Sequence, residues 1–182
     1  MSFLETAQKR SSVRRFDTRP VEREKINSCL EAARLAPSAH NSQPWRYLIV
    51  DDPALKKKLC DAAFSGIFSM NKFAAEAPVV IVVLAKPDPI ANRLGEFVVG
   101  TQYYLMDIGA SVEHLLLEAS DIGLGACWLG WYKAPGVKKA LNIPKSEKVV
   151  SMIALGYPKG EEKRGKDRKS LEEISSFNSY KP

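Results

Sequence analysis

The chain has 182 residues, 45% of them hydrophobic and 26% charged, with a net charge of +6. That length suits one domain with a sizeable core, and no apolar run reaches the ~18 residues that would span a membrane. The start, Met1-Ser2-Phe3-Leu4-Glu5, lacks the basic and apolar blocks of a secretory signal, so a cytoplasmic protein is expected.

In chain order, residues 3–9 read as a short helix, followed by the basic loop Arg10-Ser11-Ser12-Val13-Arg14-Arg15-Phe16. Residues 21–36 form an amphipathic helix with Ile26, Leu30 and Ala33 on one face, ended by Pro37. Residues 45–50 are strand-like, rich in aromatic and β-branched side chains. Pro53 starts a helix to about Ala63 with Leu55 and Leu59 inward, and 64–76 read as a short helix ending before Pro78. Residues 79–84 are a continuous apolar run, as in a strand buried on both faces. Lys86-Pro87-Asp88-Pro89 is a break, and the stretch to Gly100 reads as a loop or lid. Residues 101–122 form the longest helix, apolar almost all round and therefore central, with Gly123 as its cap. A short strand at 126–129, a helix at 134–141 and a second buried strand at 149–155 follow, the last ended by Gly156-Tyr157-Pro158. Residues 159–168 are a charged loop. In the tail, 171–182, Ile174, Phe177 and Tyr180 are too sparse to pack alone. This order gives an α+β or α/β sandwich without internal repeats.

Cys29, Cys60 and Cys127 lie far apart, with no CxxC and no Cys/His cluster. They fit reduced thiols, Cys29 and Cys127 as core residues, and offer no metal site. The positive charge leaves nucleic acid, an acidic membrane surface and an anionic small ligand open. It gathers at residues 9–19 and 159–169, with a milder Lys56-Lys57-Lys58 that reads as a solvated helix face. Two terminal clusters with little aromatic interleaving look less like a nucleic-acid track than like two halves of one anion site.

Between Pro37 and Pro44 lies Ser38-Ala39-His40-Asn41-Ser42-Gln43, more polar capacity than a turn needs. Carboxamides present donor and acceptor side by side, which suits a flat ligand with a polar edge; the alternative is a self-bonded turn. His40 reads as solvated or structural rather than as a base. Gly123-Leu124-Gly125 imitates a dinucleotide fingerprint, but it follows a helix and opens a strand, the reverse of that motif. Trp128-Leu129-Gly130-Trp131 ends a strand in bulky residues around a glycine, a place where a ligand can approach the backbone.

Taken together, Arg10-Ser11-Ser12-Val13-Arg14, the stretch from Pro37 to Trp45, Gly123-Leu124-Gly125-Ala126-Cys127-Trp128-Leu129-Gly130 and Leu155-Gly156-Tyr157-Pro158 with its basic sequel resemble the FMN-dependent nitroreductase family. The resemblance runs from residue 5 to about 174. It implies an α+β, three-layer α-β-α fold with a mixed, mainly antiparallel central sheet, built as an intertwined homodimer. Residues 1–170 would be the FMN-binding domain and 171–182 an arm packing on the partner subunit. It implies FMN as cofactor, NADH or NADPH as donor, and a nitroaromatic, quinone or similar acceptor, reduced by ping-pong chemistry without nucleic acid or membrane. Arg10, Ser11, Ser12 and Arg14 would meet the phosphate and ribityl end with Lys166 and Arg168, Arg14 also near the N1–O2 edge. Pro37, Ser38, Asn41 and Gln43 would come from the partner subunit. Trp128, Leu129 and Gly130 would lie against the ring, and Asn71 or Lys72 would reach its O2 side. No side chain is assigned as a catalytic nucleophile, acid or base.

The chain departs from the family at Ser11, where a second basic residue is usual, and at Glu113-His114, where many members have Gln-Asn. Alternative readings are a flavin-dependent dehalogenase, an enoate reductase, a flavin-destroying relative, or a non-enzymatic basic protein binding FMN or nucleic acid.

Overall fold

Four apolar stretches pair into one sheet in the computed structural model, which describes residues 2–86, 100–160 and 166–180. They are β1 (Trp45–Val50), β2 (Val79–Ala85), β3 (Gly125–Leu129) and β4 (Lys148–Gly156). The order is β1-β2-β4-β3 and every strand pairing is antiparallel. Among the described residues, parallel pairing is confined to a single bridge between Ser12 and Ala126. β2 and β4 are the inner strands, which is why they read as unbroken apolar runs: Val80 to Val83 and Ile153 to Leu155 are fully buried. β4 carries a bulge: Val83 faces Ser151 while Leu84 faces Val149, so Val150 is left over.

The helices are α1 (Phe3–Lys9), α2 (Arg23–Arg34), α3 (Pro53–Ala63), α4 (Tyr103–Asp121), α5 (Ala134–Ala140) and α6 (Leu171–Ile174), with 3-10 segments at Ala39–Asn41 and Gly66–Glu76. They cover both faces of the sheet and make three layers. Ile26, Cys29 and Ala33 of α2 and Ile108, Val112 and Leu115 of α4 pack on one face. Leu59 and Phe64 around α3, Ala74 and Val137 pack on the other. All three cysteines are buried and none is in a disulfide. No helix among the described residues is long and apolar enough to cross a membrane.

Local chemistry sets most boundaries. Ser2 and Glu5 form a capping box at α1, and Asp52 accepts from Leu55 N (2.7 Å) ahead of Pro53. α2 stops at Arg34, two residues short of the expected end, because the residue before Pro37 is excluded from helical geometry. Gly123, at φ +81°, ends α4. Residues 66–76 wind as 3-10 turns instead of the expected α-helix, and Leu55 is 37% exposed, not inward. The loop or lid expected before Gly100 falls at residues 87–99 and lies outside the described residues, as do 161–165 of the charged loop.

The basic loop runs along the outer edge of β3. Val13 N donates to Ala126 O (3.0 Å), Asp17 N to Tyr157 O (2.8 Å) and Lys159 N to Arg15 O (3.0 Å). A clamp on Tyr157 fastens the end of this strap. The Tyr157 hydroxyl donates to Glu22 (2.5 Å) and accepts from Lys25 (3.0 Å), which also bonds Ile122 O, while the Arg19 guanidinium lies 3.4 Å above the ring. The Tyr157 bond, then Glu22's own backbone N–H, holds the Glu22 carboxyl below its usual range. A lowered carboxyl contributes stability that is full above its unfolded value and is lost as pH falls through that value toward the folded one. In urea denaturation, Tyr157→Phe should therefore differ from wild type most near pH ~7 and progressively less toward pH ~3. A gap independent of pH would show that Glu22 is not coupled to the hydroxyl.

Candidate functional site

The two terminal basic clusters meet at the end of α1. Arg10 is the C-cap residue of that helix, its N–H bonded to Thr6 O (2.9 Å), which throws its side chain toward α4. There Arg10 Nε lies 3.7 Å from Glu113 Oε1. From the other end of the chain, Lys166 Nζ donates to Ala7 O (2.6 Å), one of the last carbonyls of α1. Partial desolvation, then the charges of Arg10 and Arg168, hold the Lys166 ammonium below its usual value, and Glu113 acts in the opposite sense. Ser11 and Ser12 are half-buried beside this group, and Arg14, exposed, bends back to Ser12 O (3.2 Å). A hollow of ≈ 230 Å³ opens next to it, lined by Lys9, Arg10, Ser11, Gly125, Ala126 and Pro158 among others. Guanidinium, ammonium and hydroxyl donors in one place suit a phosphate monoester.

The turn from Pro37 to Trp45 is held in a demanding shape. His40, Asn41 and Gln43 have φ of 52°, 53° and 45°, a region non-glycine residues seldom occupy. Ser38 Oγ accepts from Gln43 N (3.0 Å), and Asp107 Oδ1, from α4, accepts from Ala39 N (3.1 Å). In the single chain the two amides bond each other: Gln43 Nε2 donates to Asn41 O (3.2 Å) and Oδ1 (3.1 Å). Asn41 and Gln43 are both exposed, and those bonds leave Asn41 Nδ2 as a donor and Gln43 Oε1 as an acceptor on that rim. His40 is exposed and contributes no bond to this network that the turn requires.

At the end of β3, Leu129 is buried, while Trp128 and Trp131 are 40% and 50% exposed. A Cβ placed on Gly130 would meet nothing within 4 Å, so the backbone there is open to a ligand. Trp131 is clasped by the 3-10 segment: its Nε1 donates to Ile67 O (3.0 Å), its carbonyl accepts from Asn71 Nδ2 (2.8 Å), and its ring tilts against Phe68 at 5.2 Å. Asn71 thus stands beside the Trp128–Trp131 stretch, whereas Lys72 lines a different hollow with Cys60 and Asp61.

One helix carries all three parts. Asp107 bonds the polar turn, Gly109 lies under Trp128 and Glu113 faces Arg10. Asp107 and Glu113 are six residues apart, or about 9 Å along the axis. Within one chain the amide turn and the basic cradle are therefore separate stations on α4. Asp107, and the clasp that holds Trp131, escape a reading of the sequence because their contacts join segments remote in the chain. Glu113 shows there only as an unusual residue. A roomier hollow, ≈ 790 Å³ beside Lys138 and Lys145, holds none of the candidate residues.

A family model described as nitroreductase family matches residues 7–157, from within α1 to just past β4. The chain belongs to the nitroreductase family. A protein of Archaeoglobus fulgidus, provisionally named NADH dehydrogenase/NAD(P)H nitroreductase, is 35% identical over 156 residues, 84% of this chain and 83% of that one. An NADH dehydrogenase of Thermus thermophilus is 30% identical, covering 84% of each. A crystal structure of a nitroreductase family protein from Clostridium novyi superposes with a TM-score of 0.78 at 30% identity, over 91% of this chain and 89% of that one. The nitroreductase match ends before Lys166 and Arg168, so their place beside Arg10 comes from the fold and not from the matched stretch.

Proposed function

We propose that this nitroreductase-family chain is an FMN-dependent NAD(P)H oxidoreductase working as a homodimer. The observation that carries the reading is the meeting of Arg10, Lys166 and Arg168, from opposite ends of the chain, in one cradle suited to a phosphate monoester. The names of the relatives, which join NADH with nitroreductase, support the donor and the reaction class.

On this reading Arg10, Ser11, Ser12, Lys166 and Arg168 hold the phosphate and ribityl end. Arg14 places a cation near the N1–O2 edge, where charge develops on reduction. Pro37, Ser38, Asn41 and Gln43 of the second subunit grip the polar edge of the ring, once Gln43 swings its amide off Asn41. Trp128, Leu129 and Gly130 form the floor, with Gly130 lacking a side chain so that its backbone can be approached. Asn71 reaches the ring by giving up Trp131 O. FMN held by these residues would supply hydride acceptance from NADH or NADPH and, in a second half-reaction, electron delivery to a nitroaromatic, quinone or similar acceptor. The protein's share is orientation, electrostatics and exclusion of water. The basic charge then has a use that needs no nucleic acid.

The homodimer is supported by apolar surface that a single chain leaves uncovered. Leu171, Ile174, Phe177 and Tyr180 of the tail are 64–88% exposed, as are Phe3, Leu4, Leu35 and Met106 at 63–75%. An arm laid over a second subunit would bury the first group and bring the amide turn of one chain to the cradle of the other.

The purified protein should be yellow, should bleach anaerobically with NADH or NADPH, and should sediment as a dimer. A colourless protein that fails to take up added FMN would reject the reading, and a flavin-loaded monomer would reject the shared site.

A further inference from the structure

We propose that Glu113 sets how tightly the cradle holds its phosphate, by placing a resident negative charge among the cations. The inference rests on the FMN reading above and deepens it. Glu113 projects from α4 to within 3.7 Å of Arg10 Nε, too far for a hydrogen bond, so the contact is one of charge. The Arg10 side chain is 19% exposed and that of Glu113 46%, so the field between them is only partly screened by solvent.

The cradle brings together Arg10 from α1, Lys166 and Arg168 from the segment before α6, and Glu113 from α4. Three cations at close quarters repel one another, and the carboxylate relieves that repulsion while no ligand is bound. A phosphate monoester, carrying nearly two negative charges, does the same work on the same cations. It then meets Glu113 as a like charge. The carboxylate therefore stabilises the empty cradle and opposes the filled one. With Glu113 the four side chains sum to about +2, which balances a monoester dianion without surplus attraction. Glutamine at this position has the same shape and keeps an acceptor oxygen near Arg10, but it lacks the charge.

The test is the affinity of full-length Glu113→Gln for FMN and for riboflavin, which has the ring without the phosphate, by quenching of flavin fluorescence. FMN should bind about threefold or more tightly than to wild type, as expected of charges several ångströms apart at a partly solvated site. Riboflavin should change by less, so the ratio of the two affinities rises. An unchanged ratio overturns the proposal. So does weaker FMN binding, which would mean that Glu113 serves to orient Arg10. Glu113→Ala removes the same charge and must move the ratio in the same direction, which keeps the question answerable if the glutamine variant does not fold. A wild-type protein that binds neither flavin overturns the FMN reading together with this one. A wild-type protein that binds FMN, with a variant of unaltered ratio, overturns only the role of Glu113.

Discussion

Arg10→Ala is expected to weaken FMN binding by at least about 1.5 kcal/mol, roughly tenfold, the scale of a lost charge-assisted hydrogen bond. The position explains the size. Arg10 is the C-cap residue of α1, its N–H bonded to Thr6 O, so the helix end sets the place from which its guanidinium reaches the cradle. Its side chain is largely covered, so its charge is less diluted by solvent than that of exposed Arg14. Removing it also takes away the cation that faces Glu113, leaving only Lys166 and Arg168 to offset the carboxylate beside the incoming phosphate. Titration of the apoprotein with FMN measures the loss, and riboflavin, which has no phosphate, should lose much less. Equal affinity of wild type and variant for FMN would remove Arg10 from the phosphate site.

Gly136→Ala is expected to destabilise the fold by about 2–3 kcal/mol or more, the upper range for overpacking against a rigid neighbour. A Cβ at Gly136 would lie 2.2 Å from Ala62 O and 2.9 Å from Ala62 C. The obstacle is backbone of α3, which no rotamer change removes, so α3 and α5 would have to separate. These two helices cover one face of the sheet, and Leu59, Ala63, Phe64, Val137 and Ala140 are all buried at or near their contact. Thermal unfolding should shift down by about 5–10 °C for a chain of this size. With both variants melted as flavin-free protein, Gly130→Ala is the control, since its Cβ would meet nothing within 4 Å. Similar melting of the two variants would show that the α3–α5 contact has slack.

Much of this was legible in the residues themselves. β1 and α3 occupy the stretches that β-branched content and the proline-capped periodicity mark out, and β2 and β4 read as apolar runs because both of their faces are covered. The two basic clusters could be read as one site because like charges gather only where something compensates them, and the fold brings Lys166 to the end of α1. The 3-10 winding of residues 66–76 was not legible, since 3-10 runs longer than about four residues are uncommon and a helical stretch of this length reads as an ordinary helix. Its clasp on Trp131 spans 60 residues of sequence and has no local signature. The amides of Asn41 and Gln43 could be picked out by type, but their bond to each other depends on left-handed backbone at residues 40, 41 and 43, which neither residue type dictates.

The strap formed by residues 12–16 has one more consequence. β3 is an outer strand, and an outer strand with unpaired amides and carbonyls is a template on which another chain can add. Val13 and Ser12 occupy that edge, bonded to Ala126. The segment that covers the β3 edge thus includes Ser12 and Arg14 and directly follows Arg10 and Ser11, four of the residues proposed to meet the ligand. On the proposed reading, a ligand that pins the strap would also hold the β3 edge covered, so loading would lower the tendency of that edge to pair with another chain.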